Sequence, residues 1–73
     1  MNSKFEFETK CRRCNFLNAH LKEIIVDDKS YLIDYLLYDS IRAISHNVYV
    51  NMFHCDNCNK FTVQDFISIE EIK

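Results

Sequence analysis

The sequence predicts a small α+β domain: two β-hairpins clamped together by four cysteines, with a helical insert between the clamped turns. Three observations predict it. The cysteines fall into two pairs, Cys11-Arg-Arg-Cys14 and Cys55-Asp-Asn-Cys58. The residues leading into each pair alternate apolar and polar, as strands do. Between the pairs, Tyr31 to Ser45 carries apolar residues at helical spacing. No repeat, linker or low-complexity stretch interrupts the 73 residues, so one domain over 1–73 is expected, its insert at 16–47.

In chain order, Phe5, Phe7 and Thr9 alternate with Glu6, Glu8 and Lys10, a strand that runs directly into Cys11. Two residues between thiols let one tight turn aim both sulfurs at a single point. Asn15 and Asn59 each follow the second cysteine of a pair, where such turns usually place glycine in the left-handed conformation. Asparagine tolerates that conformation next best. Residues 17–26 are ambiguous. Leu17, Leu21, Ile24 and Ile25 fit one helical face, yet Leu21 to Val26 would also serve as a strand. Asp27-Asp28-Lys29-Ser30 is a turn by composition.

From Tyr31 to Ser45, Leu32, Ile33, Leu36, Leu37, Ile41 and Ile44 fall on one broad side at about 100° per residue. Ser30 is the expected N-cap, Asp34 lies in the first turn and Arg42 near the end, before His46 and Asn47 stop the helix. Val48, Val50 and Met52 alternate on the approach to Cys55, a strand whose hairpin partner is Lys60 to Gln64 across the turn at Cys55–Asn59. Phe66, Ile69 and Ile72 recur every third residue and suit a short C-terminal helix, although Ile67 and Ile69 also permit a strand.

Four thiolates from two such turns suit a closed, tetrahedral zinc site with Cys11, Cys14, Cys55 and Cys58 as ligands. At this length a hydrophobic core alone gives marginal stability, so a metal clamp answers a physical need. The longest apolar runs fall well short of the roughly 20 residues of a membrane span. The acidic, core-less N-terminus does not read as a secretion signal. A reducing, cytoplasmic location is the expectation, and there paired cysteines bind metal rather than form disulfides.

Glycine and proline are absent. Phe, Tyr, Met, Ile, Asn and Lys make up 33 residues while Gly, Ala, Arg and Pro make up five, the skew of an AT-rich coding sequence such as phages, plasmids and low-GC bacteria carry. Without glycine, no phosphate-cradling loop can form, which excludes nucleotide-dependent enzymes built on one. The net charge is −2, and four thiolates with a dication take it to −4, a poor balance for non-specific nucleic-acid binding.

Strand, Cys-x-x-Cys turn, insert, strand, second Cys-x-x-Cys turn and return strand together resemble a zinc ribbon, over roughly residues 4–16 and 48–64. Lys10-Cys-Arg-Arg-Cys-Asn15 also resembles the metal-binding turns of small phage-encoded regulators. The resemblance implies metal binding and leaves the activity open, because zinc ribbons serve in transcription, ribosomes, nucleases and protein adaptors alike.

Two surfaces compete for a functional role. Lys10, Arg12, Arg13 and Lys60 surround the two turns and could contact phosphate. The same cations would also offset a doubly negative tetrathiolate centre, and Glu6, Glu8 and Asp56 dilute them. On the expected helix, Tyr31, Tyr35, Tyr38 and Arg42 form a stripe opposite the aliphatic face, bordered by Asp34 and Asp39. Tyrosine and arginine dominate interface hot spots, so the stripe suits a protein partner or a second copy. Half-buried tyrosines of a sandwiched helix would look the same. Catalysis has little support: four sulfurs leave a metal no open position, and His20, His46 and His54 are scattered. Redox chemistry at Cys11 and Cys14 would leave the second pair unexplained. The expected function is that of a small non-enzymatic zinc-binding regulator that docks on a protein, with a nucleic-acid-binding regulator as the alternative.

Overall fold

The computed structural model describes residues 2–25 and 29–72. Five strands and one short helix account for most of them: β1 (Asn2–Cys11), β2 (Leu17–Ile25), α1 (Leu32–Leu37), β3 (Ile41–Ser45), β4 (Val48–Cys55) and β5 (Lys60–Ile72). Single 3-10 turns, Lys29–Tyr31 and Tyr38–Ser40, flank α1. The strands form one antiparallel sheet in the order β2-β1-β5-β4-β3. The expected α+β class is therefore corrected. The fold is β-rich, with about two-thirds of its residues in strand.

Strand β5 organises the sheet. Its first residues, Lys60 to Val63, pair with Cys55 to Met52 of β4, and Gln64 to Ile72 pair with Cys11 to Lys4 of β1. Strand β1 ends opposite Gln64 and β4 ends opposite Lys60, the first residue of β5, so both cysteine turns lie at the same end of the sheet. The expected hairpin from β4 into β5 is present, as is the strand entering Cys11.

Phe5, Phe7, Thr9 and Cys11 of β1 all face inward and are buried. Leu36 of α1 packs on Phe5 and Phe7, with Ile24, Leu32, Leu37, Phe53, Phe66 and Ile69 around them. The molecule measures 35 × 28 × 15 Å, so a single sheet with one short helix on it makes up the whole thickness. Among the described residues, three buried hydrocarbon side chains are a small core for such a chain.

Three readings of the sequence change, each for a physical reason. The helix expected over Tyr31–Ser45 stops at Leu37. Ser40 closes it, its one hydroxyl proton shared between the Leu37 carbonyl (2.7 Å) and Asn51 Oδ1 (3.0 Å). The β-branched Ile41 and Ile44 then enter β3, where β4 offers a ladder of backbone partners. Asn47 makes the turn between those strands at φ 61°. The N-cap position falls on Tyr31 rather than Ser30 and has no side-chain capping bond, while Asp34 does lie in the first turn.

The ambiguous segment 17–26 resolves as strand β2 over Leu17–Ile25, with Asn18, His20, Lys22 and Ile24 turned inward and Leu17, Leu21 and Ile25 outward. The C-terminal segment is strand throughout. A bulge opposite Glu8 and Thr9 leaves Ile67 unpaired, so Phe66 and Ile69, three residues apart, both face inward. That parity shift imitates helical spacing. Of the expected turn at Asp27–Ser30, Asp27 and Asp28 lie outside the described residues, and Lys29 and Ser30 open the first 3-10 turn.

Candidate metal centre

The four cysteines meet at one end of the sheet, all as free thiols. Their sulfurs lie within 4.8 Å of one another. Cys11 and Cys58 are 4.0 Å apart at Sγ, and Cys14 and Cys55 are 3.6 Å apart. Zinc–sulfur bonds of about 2.3 Å in a tetrahedron require sulfur separations near 3.8 Å, so the donor set fits a tetrahedral ion. These residues could hold a metal ion.

Both turns are built alike. The Asn15 amide donates to the Cys11 carbonyl and the Asn59 amide to the Cys55 carbonyl, each at 2.8 Å. Asn15 (φ 65°) and Asn59 (φ 55°) both take the left-handed conformation, as the sequence predicts. In the second turn the Cys58 amide donates to Cys55 Sγ at 3.5 Å.

The electrostatics point the same way. Cys11 is lowered to about 6, chiefly because Thr62 hydrogen-bonds its sulfur at 3.1 Å. Burial opposes ionisation of Cys55, but backbone amides led by that of Cys58 outweigh it, and its thiol falls below the ordinary value. Cys58 is pushed up to about 12 by its neighbours, Cys14 first. Without a cation the cluster can hold only part of its charge, and a dication at the centre removes that repulsion.

Behind Cys11 lies a buried network that no spacing in the sequence announces. Thr62 donates to the Cys11 sulfur and accepts from Gln64 Nε2 (3.3 Å), which also donates to the Phe53 carbonyl at 3.0 Å. Gln64 Oε1 accepts from the Thr9 hydroxyl and from Asn18 Nδ2 at 3.1 Å. Asn18 Oδ1 in turn accepts from the Asp56 amide (3.0 Å), fixing the second turn. With its one proton given to Gln64, Thr9 must accept from His20 Nε2 at 2.8 Å, so His20 carries a proton at Nε2. Burial lowers the pKa of His20, partly offset by Asp56. The ring stacks on Phe7 at 4.8 Å and lies 4.6 Å from Phe53. Among the described residues, every buried side-chain polar atom has a partner. The only trace of this in the sequence is the inward parity of Thr9 beyond Phe5 and Phe7.

The other candidate residues separate. Arg12 is bound to Asp65 through both nitrogens of a bidentate pair, Nη2 to Oδ1 at 2.7 Å and Nε to both oxygens at 3.0 Å. The pairing raises Arg12 and holds the Asp65 carboxyl below its usual range. Lys10, Arg13 and Lys60 are exposed. Lys10 sits opposite Asp65 in the β1–β5 register.

Tyr31, Tyr35 and Tyr38 are exposed by 57%, 53% and 73%. Arg42 leaves their stripe because it lies on β3, where its Nη1 donates to the Asp39 and Ile41 carbonyls, both at 2.8 Å. Tyr49, which sequence reasoning missed, shares with Tyr38, Leu37, Ile41 and Val50 a cleft of about 430 Å³. His54 points away from the sulfurs and approaches Asp56 at 3.3 Å. Among the described residues no helix is long and apolar enough to cross a membrane.

The chain matches no protein-family model, and no curated protein and no solved structure is significantly similar to it. The zinc-ribbon resemblance therefore rests on the two cysteine turns alone.

Proposed function

We propose that Cys11, Cys14, Cys55 and Cys58 hold one structural zinc ion, and that the chain is a non-enzymatic regulator that docks on a protein partner. Among metals, zinc suits four thiolates in a tetrahedron and needs no redox support. Four protein sulfurs complete its shell, which leaves no position for a reacting water. Thiolate ligands of this kind persist in a reducing compartment such as the cytoplasm.

The observation that carries the docking role is the exposure of Tyr31, Tyr35 and Tyr38, the last of which lines a cleft with Ile41 and Tyr49. Large exposed aromatic area with polar tips, next to a concave surface, is the composition of interface hot spots. The nucleic-acid alternative is weakened because Asp65 occupies Arg12 and faces Lys10.

The test is affinity capture from lysate of the source organism, comparing the native chain with Tyr35→Ala/Tyr38→Ala. A protein retained by the first and lost by the second, with zinc content equal, supports the reading. Identical capture by both removes the tyrosine surface.

A further inference from the structure

The two edges of the sheet are built differently. Strand β3 is five residues long, is bulged after Ala43, and Arg42 covers the Asp39 and Ile41 carbonyls at its start. Short length, a bulge and a long basic side chain are the usual protections of an edge. Strand β2, at the other edge, runs nine residues in unbroken register with β1. Its inner-facing Lys22 is tied to Asp39 at 3.1 Å. Its outward face carries Leu17, Leu21 and Ile25, exposed by 51%, 60% and 68%. That is a long edge with an apolar outward stripe and neither the short length nor the bulge of β3, and its inward-pointing charge, Lys22, is neutralised by Asp39.

We infer that β2 pairs antiparallel with β2 of a second copy, about a two-fold axis at Leu21, to give a continuous ten-stranded sheet. The register argues for a second copy rather than another strand. With Leu21 opposite Leu21, Leu17 of each chain meets Ile25 of the other, and Ala19 meets Glu23. On the inner face Asn18 meets Ile24, and His20 meets Lys22. Every apolar residue of the stripe then faces another apolar residue, and no like charges are opposed. A shift of two residues in one direction sets Lys22 against Lys22, and in the other sets Leu17 against Glu23. A shift of one turns the stripe onto the wrong face. Only the full-length register is self-complementary, and it uses all nine residues. Pairing supplies roughly eight to ten backbone hydrogen bonds.

Strand β2 lies at the opposite edge of the sheet from β3, and none of its residues lines the cleft at Tyr38 and Tyr49. The test is sedimentation equilibrium of the zinc-loaded full chain from about 1 μM to about 1 mM. The mass is expected to rise from 8.8 kDa to twice that value. Leu21→Lys sets two ammonium groups face to face at the axis and should weaken association more than about 100-fold, with zinc content and circular dichroism unchanged. Under mild oxidation Leu21→Cys should cross-link two chains and Ala19→Cys should not, because only position 21 meets itself. A monomer at every concentration overturns the inference. So does a dimer that survives Leu21→Lys and is lost in Tyr35→Ala/Tyr38→Ala, or an edge that takes up an unrelated extended peptide in preference to a second chain.

Discussion

Replacing Gln64 with leucine tests whether the buried polar network, and not the hydrocarbon core alone, holds the sheet to the metal centre. Gln64 is 2% exposed and bonds Thr9, Asn18, Thr62 and the Phe53 carbonyl at once. Leucine fills most of the volume, so the loss is polar. The Thr9 hydroxyl can donate to His20 once the ring proton moves from Nε2 to Nδ1, but the Asn18 amide and the Phe53 carbonyl lose a buried partner. Each orphaned group costs about 1–3 kcal/mol, which sums to roughly 4 kcal/mol. For a domain of this size that is a fall in Tm of about 15–30 °C. Thr62 also loses the donor that orients it toward Cys11, so zinc affinity should drop about tenfold. Urea unfolding followed by circular dichroism at fixed excess zinc reads the first effect, and competition with a zinc chelator reads the second. Because Asn18 and Gln64 share one bond, Asn18→Ala combined with Gln64→Leu should cost less than the two separately. A loss below about 1 kcal/mol with unchanged zinc affinity would refute the network as a structural element.

Native mass spectrometry should find one zinc per chain, and either chelation or Cys55→Ser should abolish the cooperative thermal transition; a folded, metal-free chain would contradict the structural role. His20 has a lowered pKa, so its contribution is intact above the unfolded value near 6.5 and is lost as pH falls through the lower folded value. At saturating zinc, stability should therefore decline below about pH 6.5 more steeply in the native chain than in His20→Phe, and parallel curves would count against a buried neutral His20. Leu36→Ala empties the contact between α1 and the sheet and should cost about 2–5 kcal/mol in the same urea assay; a smaller loss would mean that the helix is dispensable.

The sequence was most legible where chemistry constrains backbone geometry. The two cysteine turns, the strand into Cys11 and the β4–β5 hairpin follow from thiol spacing and alternation, and Asn15 and Asn59 from the need for a left-handed residue without glycine. Legibility failed where a bulge or a shared spacing hid the period. Unpaired Ile67 puts Phe66 and Ile69 on one face, and Ile41 and Ile44 read as helix though the ladder to β4 makes them strand. The network failed to show for another reason. Thr9, Asn18, His20, Thr62 and Gln64 are polar residues at inward positions, and only the fold brings them within bonding distance.

These features share one cause. Among the described residues, three buried hydrocarbon side chains are a small core for holding the end of the sheet where β1 and β4 run into their cysteine turns. The cysteines occupy that end, and the network from Thr62 to His20 extends their hold into the core. A chain stabilised from one end in this way need not cover its remaining apolar surface. The tyrosine cleft and the β2 edge both stay exposed and share no residue, so one can serve a partner while the other joins two copies. Substitutions at Leu21 and at Tyr35 with Tyr38 should then act independently: the first removes self-association, the second removes partner capture, and neither alters zinc content. Loss of both functions from either change alone would mean that a single surface serves both.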